Sequence, residues 1–248
     1  DKSPTEHSKK QIFEAVDKSL SRLKTDYIDL YQLHWPDRPM NLFGGPLNYQ
    51  HIDGETNSIE SILDGLSELI KIGKIRHIGL SNETPWGTME FLHQSKNKNL
   101  PRVQSIQNAY NLLNRIFEFG GSEIVFREKV GLLAYSPLAQ GYLTGKYQNG
   151  NLPKGSRKEL FDRLQRYEGI GSEEAIEKYL DIAKKHNVDP SQLANQFVTT
   201  RPFVTSNIIG ATNMEQLELA ITSTQIDMNE EIENDIELAF KMHGNVAA

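Results

Sequence analysis

Short apolar runs alternate with amphipathic helical segments along the whole 248-residue chain, and that alternation restricts the fold more than any other feature. Residues 27–33, 75–80, 103–107, 131–135 and 204–209 are rich in β-branched, aliphatic and aromatic side chains. They read as strands covered on both faces. Between them apolar residues recur at helical spacing, as in Ile12, Phe13, Val16, Leu20 and Leu23, and again in Ile59, Ile62, Leu63, Leu66, Leu69 and Ile70. Ser3-Pro4-Thr5-Glu6 reads as the start of the first helix and Gly73 as the stop of the second, which spans 58–72. Thr84-Pro85 and Asp189-Pro190 open two more, and further helices are expected near 122–127, 172–186, 213–222 and 229–242. Strand, helix, strand, helix is the pattern of a parallel sheet with right-handed crossovers in one domain, 1–248. Two long loops, 36–57 and 139–170, interrupt it.

Composition narrows the function classes. The net charge of −6 argues against general nucleic-acid binding, while leaving room for a local basic pocket. No run approaches the ~18 apolar residues of a membrane span, and DKSPTEHSKK has no apolar signal-peptide core. With no cysteine, disulfides and thiolate metal sites are excluded and a reducing, cytoplasmic setting is expected. No G-x-S-x-G or H-x-x-x-H motif points to a serine hydrolase or a metal; His51, His77, His93, His186 and His243 read as ordinary.

A parallel sheet of this kind is either open and doubly wound or closed into a barrel. The doubly wound cofactor signal, G-x-G-x-x-G after the first strand, is absent. Instead, polar or special residues follow each strand: His34-Trp35, Ser81-Asn82, Gln107-Asn108, Tyr135-Ser136 and Gly210-Ala211-Thr212. The C-terminal ends of strands are where a barrel enzyme carries its chemistry. Taken singly, each cluster has a plain structural explanation. His34 could be a satisfied buried histidine, Ser81-Asn82 turn chemistry, Asn108 the start of a turn, and Tyr135 a core aromatic.

Five segments taken together resemble the aldo-keto reductases: "TDYIDLYQLHWPD" (25–37), "GKIRHIGLSN" (73–82), "IQNAYNLLNR" (106–115), "LLAYSPLAQGYLTGKY" (132–147) and "IIGATNMEQL" (208–217). The branch is that of bacterial Tas-like reductases and potassium-channel β subunits. The resemblance implies an α/β fold of (β/α)8 TIM-barrel type, NADP(H) at its C-terminal rim, and reduction of small aldehyde or ketone substrates. It makes His34 the active-site histidine that polarises the substrate carbonyl beside a tyrosine. Ser81, Asn82 and Gln107 would hold the nicotinamide carboxamide, and Tyr135 would stack on its ring. Ser136, Leu138 and Gly141 would approach the pyrophosphate, and Lys146 and Arg157 the 2′-phosphate. Gly210, Thr212 and Gln216 would form the final anion-favouring turn. These residues are expected to line one cleft. Leu219-Ala220 replaces the Glu-Asn pair that grips adenosine in the family.

The resemblance also matches the five strands to family strands 4–8. It therefore places the first three, with the family's catalytic Asp, Tyr and Lys, ahead of residue 1. On that expectation the chain alone folds poorly and is inactive, and apolar sheet edges at 27–33 and 204–209 need covering. A cofactor-binding regulatory module or a non-autonomous fragment are the alternatives to an enzyme. Neither membrane insertion nor a nucleic-acid partner is expected, and a homo-oligomer is compatible with the sequence.

Overall fold

The computed structural model describes residues 6–40, 50–52, 54, 56–161 and 165–247. The strands β1 (Ile28–Leu33), β2 (Ile75–Ser81), β3 (Val103–Ala109), β4 (Gly131–Tyr135) and β5 (Val204–Ile208) fall within two residues of the expected ranges. They form one five-stranded sheet in the order β1-β2-β3-β4-β5. The β1–β2 and β2–β3 pairs are parallel. This is an α/β fold of the (β/α) barrel type. The helices are α1 (Lys9–Leu23), α2 (Ile59–Lys71), α3 (Pro85–Lys98), α4 (Gly121–Glu128), α5 (Arg157–Leu160), α6 (Ser172–Lys185), α7 (Pro190–Thr199), α8 (Met214–Thr222) and α9 (Glu230–His243).

Two expectations need correction. The first helix starts at Lys9, not in the Ser3-Pro4-Thr5-Glu6 segment, of which Ser3, Pro4 and Thr5 lie outside the described residues. Ser8 is its N-cap, its hydroxyl accepting from the Gln11 N–H at 3.4 Å. The strands are also not all covered on both faces. Thr205, Ser206 and Ile208 of β5 are exposed, as suits the last strand in the sheet order. Most of the 36–57 loop lies outside the described residues.

The chain divides into two compact units. Among the described residues, the first comprises everything up to Asn108 together with Gly120–Leu132, and the second Ala109–Phe119 with Leu133 onward. In the first, α1 packs on α2, α2 on α3 and β2, and α3 on α4. Ile12, Val16 and Leu20 of α1 and Ile62, Leu63, Leu66 and Leu69 of α2 are the buried stripes that the three- and four-residue spacing produces. Each such side chain stabilises by about 1.5–3 kcal/mol. The second unit packs α6, α7, α8, α9 and β5 around Tyr110, Phe197 and Phe203. The Tyr110 ring lies 5.7 Å from Phe197 and 5.2 Å edge-on from Phe203. No helix of the described residues is long and apolar enough to cross a membrane.

The pairing of β2 with β3 shifts register between Ile78 and Gly79. There the backbone of β3 comes close: a Cβ on Gly79 would sit 2.6 Å from Ser105 Oγ and 3.1 Å from Ser105 O. Gly79→Ala is expected to cost about 1–3 kcal/mol through this overpacking. Urea unfolding at constant m-value measures it, and an unchanged midpoint would show that the strands can part without cost.

Candidate functional site

The first unit gathers three strand ends. His34 follows β1 and is exposed, and its ring stacks on Trp35 at 4.4 Å with the planes 25° apart. Asn82 follows β2 in the left-handed region, φ 53°, which Asn tolerates better than most residues. That conformation turns its side chain back along the rim. Its Nδ2 donates to the His34 carbonyl at 2.8 Å and to Ser81 Oγ at 3.1 Å. Ser81 Oγ donates in turn to the Gln107 carbonyl at 2.7 Å, where the Asn82 N–H also donates at 3.0 Å. His34, Ser81, Asn82 and Gln107 are therefore brought together. Part of the donor capacity of Ser81 and Asn82 ties strand ends to one another. Asn108 does not begin a turn but lies inside β3. Its Nδ2 donates to the Glu83 carbonyl at 2.9 Å, while its Oδ1 is buried without a partner.

Sequence reasoning missed two residues here. Arg38, four positions after His34, makes a two-pronged ion pair with the buried carboxylate of Glu83, Nη1 to Oε2 at 3.0 Å and Nη2 to Oε1 at 2.5 Å. Beside the pair lies a pocket of about 290 Å³ whose lining includes His7, Trp35, Asp37, Trp86 and Phe91. Burial holds the His7 imidazole below its ordinary value, against the opposing pull of Asp37 and Glu83. Complementary charges after two neighbouring strands were the available signal. No local spacing joins them, because the partners stand 45 positions apart.

The second unit holds the other expected residues. Tyr135 ends β4, and its carbonyl accepts from the Tyr110 N–H at 3.3 Å. Four left-handed residues then follow in two steps, Ser136 (φ 59°) and then Ala139 (φ 47°), Gln140 (φ 57°) and Gly141 (φ 101°). Asn111 Nδ2 anchors it by donating to the Ser136 carbonyl at 2.9 Å. A Cβ on Gly141 would meet Lys146 Cε at 2.8 Å and Nζ at 2.9 Å. The lysine ammonium thus lies against the backbone of a glycine in the left-handed region, φ 101°. Arg157 is exposed at the start of α5, and Gly210, Thr212 and Gln216 are exposed after β5. There the Gln216 side chain accepts from the Thr212 N–H at 2.9 Å, and Asn213 caps α8. Burial raises the Tyr31 hydroxyl, and it raises that of Tyr110 further, helped by the neighbouring Glu118. Neither is suited to give up a proton near neutrality.

An α/β sheet with hydrogen-bonding side chains gathered after successive parallel strands is the arrangement of a barrel-type enzyme. The aldo/keto reductase family model matches residues 1–237, and the chain belongs to that family. It is 48% identical over 236 residues to protein tas of Escherichia coli K12, covering 95% of this chain and 68% of that protein. It is 44% identical over 223 residues to an aldo-keto reductase of Babesia bovis, covering 85% and 78%. At 28% over 219 residues it resembles the L-glyceraldehyde 3-phosphate reductase of Escherichia coli K12, covering 85% and 57%. The family match starts at residue 1, so it does not bear out the expectation that an N-terminal third of the family fold is missing.

Among the histidines read as ordinary, His186 has company. It caps α6, and its Nε2 lies 2.7 Å from Asp235 Oδ2 on α9, with Glu231 close by. Lys185 Nζ already bridges the two carboxylates, at 3.1 Å from Glu231 and 2.7 Å from Asp235. Hydrogen bonding to Lys185, then to His186, holds the Asp235 carboxyl below its ordinary value near 3.8. A lowered folded-state pKa stabilises at pH values above the ordinary one, and that contribution disappears as pH falls through the lowered value. Asp235→Asn is therefore expected to lower the thermal midpoint at neutral pH and to leave it closer to native in strong acid. Melts across that pH range measure it. An equal deficit at every pH would assign the loss to packing.

Proposed function

We propose that the chain is an NADP(H)-dependent oxidoreductase that reduces aldehyde or ketone carbonyls in the cytoplasm. The observation that carries this is the tie from the His34 carbonyl through Asn82 and Ser81 to the Gln107 carbonyl, which joins the residue that bears a ring N–H donor to amide- and hydroxyl-bearing residues at the ends of three adjacent strands. Ser81, Asn82 and Gln107 complement a carboxamide, which offers one acceptor and two donors. The Tyr135 ring presents a flat face for stacking, and Ser136, Leu138 and Gly141 take the pyrophosphate. Lys146 and Arg157 supply the positive charge that favours a 2′-phosphate, and Gly210, Thr212 and Gln216 offer an anion-favouring turn after β5. The bound cofactor supplies the hydride. His34 donates a hydrogen bond to the carbonyl oxygen, which gains charge as hydride arrives.

Nucleotide fluorescence titration is expected to give tighter binding of NADPH than of NADH, with Arg157→Ala removing most of the difference. Equal affinities unaffected by that change would remove the basic pair from cofactor choice. In an NADPH-oxidation assay with small aldehydes, His34→Ala is expected to lower turnover by about 10²–10³-fold. Binding without turnover by the native chain would make it a cofactor-responsive module instead.

A further inference from the structure

We propose that Glu83 is a positioning residue for His34, acting through Arg38; this rests on His34 having the role just given. Arg38 lies four positions after His34 in the segment that follows β1, and the Glu83 carboxylate holds its guanidinium with both oxygens. The same guanidinium donates to Thr84 Oγ1 at 2.9 Å, so it is fixed to the start of α3 as well. From the other side, the Glu83 carbonyl takes the Asn108 amide of β3 at 2.9 Å. Glu83 thus joins the segments after β1 and β2 to the end of β3. The opposite end of the His34 segment is pinned by Asn82 on the His34 carbonyl. The ring between these two anchors is held flat on Trp35, 4.4 Å away.

The fold makes room for this carboxylate. A Cβ on Gly87 would collide with the Glu83 carboxylate and stand 2.7 Å from Arg38 Nη2. Gly87 lies in α3 with helical geometry and no positive φ. Its missing side chain answers to the ion pair and not to a turn. A buried acid whose carboxylate holds the segment carrying a reacting group acts on geometry. Misplacing such a group by about 1 Å lowers rate on the order of a hundredfold.

The test uses Glu83→Gln, which keeps the shape but loses one acceptor, and Arg38→Lys, which keeps the charge but loses the fork. Each is assayed with NADPH and 4-nitrobenzaldehyde and compared in native and His34→Ala backgrounds. Both changes are expected to lower kcat roughly ten- to hundredfold, to leave NADPH affinity within about twofold, and to have no further effect once His34 is alanine. In the histidine ring NMR spectrum, both are expected to lose the ring-current shift that stacking on Trp35 imposes. Losses that persist undiminished in the His34→Ala background, NADPH affinity that falls in step with kcat, or a His34 ring signal unmoved by both changes would overturn the proposal. Unchanged turnover in His34→Ala alone is a separate outcome. It would remove the catalytic reading first and this one with it.

Discussion

Parallel pairing is the constraint from which the rest follows. Because β1, β2 and β3 run the same way, whatever follows each strand emerges at one end of the sheet. Residues far apart in sequence, such as His34 and Asn82, become hydrogen-bonded neighbours without any dedicated motif linking them. The apolar stripes of α1 and α2 anchor the crossovers. They leave the strand ends free to carry polar groups that a core could not accept without partners.

Those polar groups are held by one another. Ser81, Asn82 and Asn108 use side-chain donors on backbone carbonyls in or just after neighbouring strands, which satisfies backbone groups where the ladder stops. Asn82 and Ser136 both hold left-handed backbone immediately after a strand. A non-glycine residue there costs energy that surrounding contacts must offset, and such positions concentrate where chain direction has to be set for chemistry. In the second unit, Gly141 does the same work by having no side chain at all.

Much of this was legible in the amino acids. Strand positions came from apolar runs too short for helices and bounded by turn residues, and all five matched to within two residues at each end, four of them to within one. The polar clusters after the strands marked the rim. What could not be read were relations whose partners are distant in sequence or whose signals are duplicated. Ser3 reads as the cap of the first helix, and the structure places Ser8 there. Arg38 and Glu83 share no local spacing and are joined only in three dimensions. His186 and Asp235, 49 positions apart, gave no local ligand spacing.

The shift between β2 and β3 sets the phase of the rim. Counting straight on from the pairing of Ile78 with Val103 would put Ile106 opposite Ser81; the observed partner is Gln107. The difference is one residue, taken up where Gly79 faces Ser105 instead of Gln104. A strand pairing without that extra residue would present an aliphatic side chain where an amide now stands. The chemical character of this end of the sheet is thus written as an offset in counting, and it can be altered by a single insertion or deletion upstream that touches none of the residues at the rim.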